Sequence, residues 1–297
     1  MPKSNGVAVA VGFFDGVHLG HAKLIAGAKE EARRLGLPLC AVSFLSHPDD
    51  LKSGQTIPLI CGAHERTWLL TAVGADDVVM LPFDRHMMDT PWNEFVERTL
   101  IGRLNARHVA VGADFRFGKE ARGDTALLAD YCRQHKMTCQ VVEKLELDGG
   151  EVSSTRIRAL ILNGDMEAAA RLLGRPHFIS GEVGQGRGIG RKLNAPTANL
   201  ALPEGICLPP YGVYVSELEQ DGRYLPAVTN LGQRPTFGAG LPTLETHVLS
   251  GPAELYGQHI RVYLLKYLRP EIAFDSPAAL SSAIDADIAA ARRYFGM

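Results

Sequence analysis

The sequence lacks an excess of charge of either sign. Its 31 lysines and arginines nearly balance its 33 aspartates and glutamates, which leaves a formal net charge of -2 over 297 residues. Proteins that bind nucleic acid need clustered positive charge to neutralise phosphates and release their counterions. We therefore expect no nucleic acid among the partners of this chain.

Long hydrophobic runs are absent as well. No apolar stretch approaches the roughly 18 residues that a membrane-spanning helix requires, and residues 1–6 carry no charged segment leading into a hydrophobic one. The five cysteines form no CxxC pair, and their odd number leaves at least one outside any disulfide scheme. These features predict a cytoplasmic protein with reduced thiols and no membrane partner.

The composition is that of a globular protein, with 46% apolar and 22% charged residues, and 297 residues suffice for two domains. From residue 7 to residue 143, short apolar runs typical of strands alternate with segments of helical periodicity. The first run, Val7–Val11, precedes a helical segment that Gly36 and Pro38 end. Repeated βα units predict a doubly wound, Rossmann-like α/β domain, in which ligands bind beyond the C-terminal ends of the strands.

A change of rhythm after residue 153 marks the second part of the chain. Two short helices are predicted there, and strands separated by turns follow them, with Asp221 and Gly222 as one hairpin turn. The helices are expected at residues 155–162 and 166–173, and the strands at residues 178–183, 211–219, 224–231, 244–249 and 260–268. An amphipathic helix with Ser276 as its cap ends the chain. We predict one domain at residues 1–174, including the connecting helices, and a mostly β domain at residues 175–297, a small β-barrel with a terminal helix.

The most informative segment is Gly12-Phe13-Phe14-Asp15-Gly16-Val17-His18-Leu19-Gly20-His21, which follows the first predicted strand and contains the start of a helix. Glycines let backbone approach a ligand closely, and a helix N-terminus attracts phosphate. His18 and His21 share one face of the first helical turn, where imidazoles can donate hydrogen bonds to a polyphosphate and stabilise departing pyrophosphate. We expect this loop to bind nucleotide through Gly12, Phe14, Asp15, Gly16 and Gly20.

Other interpretations of this loop exist. Each histidine alone is also typical of a structural polar residue at a turn. A zinc site is incomplete, because no Cys, Asp or Glu stands nearby at ligand spacing. Two glycine-rich runs elsewhere are not nucleotide motifs: residues 112–119 lack the spacing and hydroxyl of a P-loop, and residues 184–190 lack the dinucleotide spacing.

A second phosphate-binding segment is predicted at Ser153-Ser154-Thr155-Arg156-Ile157-Arg158. Hydroxyls precede a helix there, and two arginines occupy its first turn, which suits a second contact with a triphosphate. A plain helix cap with solvated arginines is the alternative.

In the second half, a run rich in glycine and arginine at residues 181–192 is followed by Pro196-Thr197-Ala198-Asn199. Such a cationic loop can close over ATP, and Thr197 with Asn199 offers two neutral oxygens to Mg²⁺. A surface turn is the alternative. Glu245 shares a strand face with His247, so its carboxylate can accept the proton of an attacking hydroxyl, although a solvated strand face has the same pattern.

In their order, these motifs resemble the bacterial bifunctional riboflavin kinase/FAD synthetase family over nearly the whole chain. In the first half the resemblance is carried by the loop at residues 12–21, the sequence Gly112-Ala113-Asp114-Phe115-Arg116-Phe117-Gly118 and the Ser-Ser-Thr-Arg-Ile-Arg run. It implies an FMN adenylyltransferase, in which the FMN phosphate attacks the α-phosphorus of ATP and pyrophosphate leaves. By this resemblance Asp114 lies near the flavin, and the triphosphate is held by His18, His21, Ser154, Thr155 and Arg158.

The second half resembles a riboflavin kinase module. The matching segments lie at residues 181–199, 212–214, 230–237, 245–247, 255–257 and 269–271. The resemblance implies that Glu245 is the base for the ribityl 5′-hydroxyl and that Thr197 and Asn199 bind Mg²⁺-nucleotide. The loop from Gly186 to Lys192 would be a nucleotide flap. The implied ligands are riboflavin, FMN and ATP, with Mg²⁺ as cofactor.

Three departures from the family pattern accompany the resemblance. Phe13 occupies a position that is often small or polar in the family, and Ser46 replaces the first proline of a TFxPxP-like run. Asn194 and Ala195 replace a glycine and a bulky apolar residue before the Pro-Thr pair. Two other functions stay open: a nucleotidyltransferase for another phosphorylated substrate, and a catalytically weakened flavin-binding regulatory protein.

Overall fold

The computed structural model describes residues 6–184, 197–233, 242–251 and 255–297. The chain divides into two compact units, Met1–Ser154 and Thr155–Met297. The two helices after residue 153 therefore belong by packing to the second unit, whereas the predicted boundary at residue 174 grouped them with the first. The physical reason is that the second of these helices packs against strands of the second unit.

The first unit is built on a parallel sheet covered by helices. Its strands are β1 Val7–Val11, β2 Leu39–Phe44, β3 Asp77–Leu81, β4 Ala106–Gly112 and β5 Thr138–Val142. They pair in parallel in the order β3-β2-β1-β4-β5. β1 and β2 are buried along nearly their whole length, as expected for strands covered on both faces. The predicted doubly wound α/β domain is confirmed.

Helices and short turns connect these strands. They are α1 Leu19–Leu35, α2 Pro48–Ser53, α3 Ala63–Ala72, α4 Arg85–Asp89, α5 Trp92–Glu94, a π-helix at Phe95–Arg103, a 3-10 turn at Lys119–Ala121, α6 Thr125–Gln134, and the hairpin of β6 Glu146–Leu147 with β7 Gly150–Glu151. α1 ends at Gly36, whose left-handed φ of 65° lets its N–H bond to carbonyls of the last turn. α4 ends at Thr90, whose hydroxyl donates to the carbonyl of His86.

The winding of the sheet changes direction between β1 and β4, which are neighbours in space but not in sequence. The loops that leave the C-terminal ends of these two strands therefore lie side by side at one edge, where doubly wound proteins bind ligands. Buried residues such as Val9, Val42, Leu81 and Val109 form the core of this unit. The topology thus brings the loop after β1 and the segment after Gly112 to the same place.

The second unit contains a closed antiparallel barrel of six strands. Two helices, α7 Ser154–Leu162 and α8 Met166–Leu173, precede the strands β8 His177–Gly184, β9 Ala198–Ala201, β10 Gly212–Gln220, β11 Arg223–Gln233, β12 Pro242–Val248 and β13 His259–Pro270, and α9 Pro277–Phe295 follows them. The strand order around the barrel is β10-β11-β12-β9-β8-β13. The predicted β-barrel with a terminal helix is confirmed. β9 is an additional strand, formed by residues whose short pattern did not predict one.

The two faces of the barrel wall differ in chemistry. On one face, the hydroxyls of Ser216, Thr229 and Thr246 form a buried chain with O···O distances of 2.7 and 2.9 Å. The predicted hairpin turn at Asp221 and Gly222 joins β10 to β11 with left-handed φ angles of 51° and 76°. This turn sets the register of β10 and β11 around the hydroxyl chain.

Helix α9 covers the other face of the barrel wall. Val213 and Val228 pack there against Ala291 of the helix. An ion pair adds to this contact, because Arg269 of β13 donates from Nε to Oδ1 of Asp287 at 3.0 Å and from Nη2 to Oδ2 at 2.7 Å. Such a two-bond pair fixes the orientation of both side chains.

Candidate active sites

The loop between β1 and α1 has an unusual backbone. Phe14 and Val17 adopt φ angles of 58° and 40°, a left-handed conformation that is uncommon for residues with a side chain. Both side chains are buried, so packing holds the strained backbone. Gly12 lies beneath the Phe14 ring, where a Cβ atom would come within 3.0 Å of ring carbons. The loop is therefore held in one shape by its own side chains.

His18 and His21 form a reciprocal cap at the start of α1. The backbone N–H of His21 donates to Nδ1 of His18 at 3.3 Å, and the backbone N–H of His18 donates to Nδ1 of His21 at 3.4 Å. The two rings stack with centroids 3.6 Å apart and planes 16° apart. Because an accepting Nδ1 carries no proton, each neutral ring carries its proton on Nε2. The pair thus has two Nε2–H donors at a helix N-terminus.

The environment keeps His21 neutral. Burial is the first cause that lowers its pKa well below the ordinary value of 6.5, and the charges of His18 and Arg66 lower it further. Gly20 permits the ring stacking, because a Cβ atom there would lie 3.1 Å from Nδ1 of His18. His21 is therefore a hydrogen-bond donor through its neutral form at physiological pH.

Asp15 anchors the loop from below. Its buried carboxylate accepts hydrogen bonds from the backbone N–H groups of Ile60 at 2.9 Å and Cys61 at 3.3 Å. Its backbone carbonyl accepts from the hydroxyl of Ser154 at 2.9 Å. Gly16 has a φ of 76°, and a Cβ atom there would lie 2.9 Å from Ile60. The structure therefore gives Asp15 and Gly16 contacts that shape the loop from its buried side.

A cavity of about 490 Å³ opens at the C-terminal edge of the sheet in the first unit. Four predicted site residues line it, namely Gly12, Phe14, His21 and Asp114. Most of the remaining wall is aromatic or apolar, and it includes Phe13, Phe44, Phe83, Met87, Phe95, Phe115 and Phe117. We did not predict these aromatic walls from the sequence. Their signal was an aromatic residue within or just after several segments that end at the C-terminal edge of the sheet. A cavity of this size and lining suits a flat aromatic ligand.

Asp114 is exposed at the rim of this cavity. Its carboxylate forms an ion pair with Lys144 at 2.9 Å, and Lys144 also pairs with Glu151 at 2.8 Å. The hydrogen bond from Lys144 to Glu151, and after it the one to Asp114, raises the pKa of Lys144. The ion pairs tie the segment after β4 to the hairpin that precedes Ser154.

Helix α7 carries the other predicted triphosphate residues. Ser154 begins the helix, Thr155 is exposed in its first turn, and Arg158 follows three residues later on the same side. Ile157 and Ile161 are buried on another side of the helix. The helical spacing therefore places Thr155 and Arg158 together along one side.

In the second unit, the pairing of strands aligns the residues expected in the kinase site. Glu245 of β12 lies opposite Asn230 of β11 on one side and Asn199 of β9 on the other. Directly opposed residues share a face of the sheet, so the three side chains project to the same side. The amide nitrogen of Asn199 donates to the carbonyl and hydroxyl oxygens of Thr197, both at 3.3 Å. Thr197 directly precedes β9.

A cavity of about 290 Å³ lies beside Glu245, beneath helix α9. It is lined by Thr197, Asn230, Glu245, His247 and Arg269, together with Val213, Val228, Glu271, Ile272, Phe274, Leu280, Ile284 and Asp287. Asn199 is not among the lining residues, and Gly186, Lys192, Asn194 and Ala195 lie outside the described residues. Within the described ranges no three or more His, Cys, Asp or Glu side chains group as metal ligands.

Two family models match the chain in succession. The model for FAD synthetase matches residues 1–156, and the model for riboflavin kinase matches residues 173–295. The bifunctional riboflavin kinase/FMN adenylyltransferase of Pseudomonas fluorescens is 37% identical over 292 residues, which are 98% of this chain and 94% of the relative. The protein of the same name from Bacillus subtilis (strain 168) is 34% identical over 97% of this chain and 92% of its own length.

A solved structure from Streptococcus pneumoniae, described as a macrolide-efflux protein, has a TM-score of 0.85 to this chain. It is 30% identical, and the superposition covers 98% of this chain and 95% of the other. The efflux description applies to that protein, and within the described ranges of this chain no helix has the length and apolarity to cross a membrane. Because two family models match in order and full-length relatives exceed 30% identity, this chain belongs to the bifunctional riboflavin kinase/FMN adenylyltransferase family.

Proposed function

We propose that this protein converts riboflavin to FAD in two ATP-dependent steps, with FMN formed in the second unit and adenylylated in the first. The observation that carries the proposal is that each unit has its own cavity with the matching chemistry. One cavity combines aromatic walls with His21 and Asp114, and the other combines Glu245 with Thr197. The first suits a flat ring system, and the second suits phosphoryl transfer to a hydroxyl group.

In adenylyl transfer, the isoalloxazine ring of FMN would occupy the cavity of the first unit, which we call the aromatic cavity because of its phenylalanine walls. An oxygen of the FMN phosphate attacks the α-phosphorus of ATP, the bond from that phosphorus to the bridging oxygen breaks, and pyrophosphate leaves. The Nε2–H groups of His18 and His21 would donate to the leaving pyrophosphate as its charge develops. The N-terminus of α1 adds the positive end of the helix dipole, which favours the negative charge of phosphate.

Three residues of α7 are proposed as a second contact with the triphosphate. The hydroxyl of Ser154 supports the loop through the carbonyl of Asp15. Thr155 offers an exposed hydroxyl at the helix N-terminus, and Arg158 offers a guanidinium that can bind two phosphate oxygens.

In the kinase reaction, Glu245 would accept the proton of the ribityl 5′-hydroxyl of riboflavin. The hydroxyl oxygen then attacks the γ-phosphorus of ATP, the bond to the bridging oxygen breaks, and ADP leaves. The position of Glu245 between Asn230 and Asn199 supports this role, because two neighbouring strands fix the carboxylate beside polar groups.

Thr197 and Asn199 are proposed to hold the Mg²⁺ that accompanies ATP. Their neutral oxygens fit this ion, which keeps several waters and takes other ligands from phosphate. The Asn199 amide nitrogen faces Thr197, so its Oδ1 is the atom that would bind the cation. When bound, Mg²⁺ neutralises the charge of the phosphates.

The purified protein tests the proposal directly. Incubation with riboflavin, ATP and Mg²⁺ should yield FMN and then FAD in chromatography, and EDTA should stop both products. Absence of both products from folded protein would refute the proposal. FAD formation from FMN without any FMN formation from riboflavin would refute the kinase half alone.

The cytoplasm is the proposed location. All five cysteines are free thiols, four of them buried, which suits a reducing compartment.

A further inference from the structure

Arg66 of α3 is a fully buried arginine at the base of the aromatic cavity. Its Nη1 donates to the carbonyl of Phe13 at 3.1 Å, and its Nη2 donates to the carbonyl of Phe44 at 2.8 Å. Its Nε has no hydrogen-bond partner in the described part of the chain. A buried guanidinium is costly to desolvate, and an apolar side chain of similar volume often stabilises a fold equally well. The contacts of Arg66 therefore indicate a role beyond filling space.

The same guanidinium also lies over the ring of Phe13. Its Cζ atom is 4.2 Å from the ring centroid, within the range of a cation–π contact. On another side, the ring of His47 meets Phe13 edge-on, with centroids 4.6 Å apart and planes 71° apart. Arg66 thus holds both the backbone and the ring of Phe13, and His47 restricts the ring further.

Phe13, Phe44 and His47 all line the aromatic cavity, whereas Arg66 is not among the lining residues. Arg66 therefore acts on the cavity wall from behind. A ring that is fixed before binding can stack with a flat aromatic ligand without losing rotational freedom. A phosphorylated ligand without such a ring system would gain nothing from this wall.

We propose that Phe13 is a specificity-determining residue that selects a flavin ring over other phosphorylated substrates, and that Arg66 is the positioning residue that holds it. The inference rests on the FMN adenylylation proposed above. The choice between substrates is thus assigned to Phe13, which directly follows Gly12 and occupies a position that is often small or polar in the family.

The test compares Phe13→Leu, Arg66→Met, Arg66→Lys and the Phe13→Leu/Arg66→Met double variant in FAD formation from FMN. We expect Phe13→Leu to raise KM for FMN about tenfold and to change KM for ATP less than about twofold. Arg66→Met should have the same selective effect. Because Arg66 acts through Phe13, the double variant should be no worse than the more affected single variant.

Two controls separate positioning from folding. Arg98→Lys changes a surface arginine whose side chain is 74% exposed and should leave both KM values unchanged. Formation of FMN from riboflavin by each variant reports on the other unit of the same molecule. Arg66→Lys, which keeps the charge but loses the two-bond geometry, should raise KM for FMN less than Arg66→Met does.

The outcomes distinguish the two proposals. If the unaltered protein makes no FAD, the proposed adenylylation is wrong. If it makes FAD and Phe13→Leu leaves KM for FMN unchanged, the assignment of Phe13 is wrong. Additive losses in the double variant would overturn the role of Arg66. Should Arg66→Met not fold, an unchanged KM for FMN in Arg66→Lys overturns that role instead.

Discussion

His18 and His21 each accept the backbone N–H of the other through Nδ1, with their rings stacked 3.6 Å apart. This reciprocity sets the tautomer of both rings, since a backbone donor occupies each Nδ1. The arrangement couples a helix cap to a pair of hydrogen-bond donors. A substitution at either histidine therefore affects both the cap and the chemistry.

Replacement of His21 by alanine should stop FAD formation while FMN still accumulates. Removal of one donor to developing charge typically lowers kcat by about 10² to 10³. Product chromatography with riboflavin as the starting substrate measures both steps in one reaction. His64→Ala is the matched control, because that histidine is 78% exposed on α3 and should leave both steps unchanged. Equal loss of both reactions in folded His21→Ala protein would contradict separate sites.

Glu245→Gln should block FMN formation and leave FAD formation from supplied FMN intact. The amide keeps the size of the side chain but cannot accept the proton of the ribityl hydroxyl, so we expect a decrease in kcat of about 10² to 10⁴. Glu204→Gln, in an exposed turn of the same unit, provides the control. Retention of more than about a tenth of the kinase activity in Glu245→Gln would rule out Glu245 as the general base.

Gly16→Ala tests the shape of the loop between β1 and α1. Its φ of 76° disfavours a side chain, and a Cβ atom would meet Ile60 at 2.9 Å. Gly36 has a similar φ of 65° but open space around the added atom. We expect Gly36→Ala to lower the free energy of unfolding by about 1 kcal/mol through backbone strain, and Gly16→Ala by about 2–4 kcal/mol through strain and overlap. Urea unfolding measures both, and equal losses would show that Ile60 yields freely.

His177 of β8 makes stability depend on pH. Burial first, and then the charge of Arg175, lowers its pKa from 6.5 to about 3. Between these values the unfolded chain binds a proton that the folded chain does not bind. The contribution of His177 is therefore complete above pH 6.5 and decreases as the pH falls, by about 2 kcal/mol at pH 5.

His177→Gln should reduce this dependence on pH. The measurement is the free energy of urea unfolding at pH 7.5 and pH 5.0, and the variant should lose less stability between them than the unaltered protein. His259→Gln, which changes an exposed histidine, should keep the original difference. An unchanged difference in His177→Gln would mean that the histidine is protonated in the folded state.

The alternation of apolar runs and helical periodicity was sufficient to predict the α/β unit, and strand-like segments separated by turns, one of them Asp221-Gly222, were sufficient to predict the barrel. Local patterns could not place the boundary between the units, because the helices α7 and α8 have ordinary amphipathic sequences. Only the packing of α8 on the barrel assigns it to the second unit. The strand β9 was missed for a similar reason, since four residues are too few for a periodic signal.

The geometry of the candidate site was predictable where polar groups lie close together in sequence, as in His18 and His21, which share the first turn of α1. It was not predictable where distant segments meet. Arg66 has the sequence context of an ordinary surface helix, and only the fold brings it beneath Phe13 and Phe44. The aromatic cavity wall is likewise assembled from the ends of several strands, so no single window of the sequence contains it.

Closure of the barrel restricts how far β12 can move relative to its two neighbouring strands. Glu245 has a paired strand on either side, so a shift of β12 by one residue would break hydrogen bonds to both β11 and β9. The separation between Glu245 and Asn199 is thus determined by main-chain pairing and not by the side chains around it. Substitutions in the cavity wall can then alter which ligand is accepted while the distance between the reactive groups stays constant. In this unit, side chains of the strands determine which substrate is accepted, whereas the main chain of the same strands keeps the reactive groups at a constant distance.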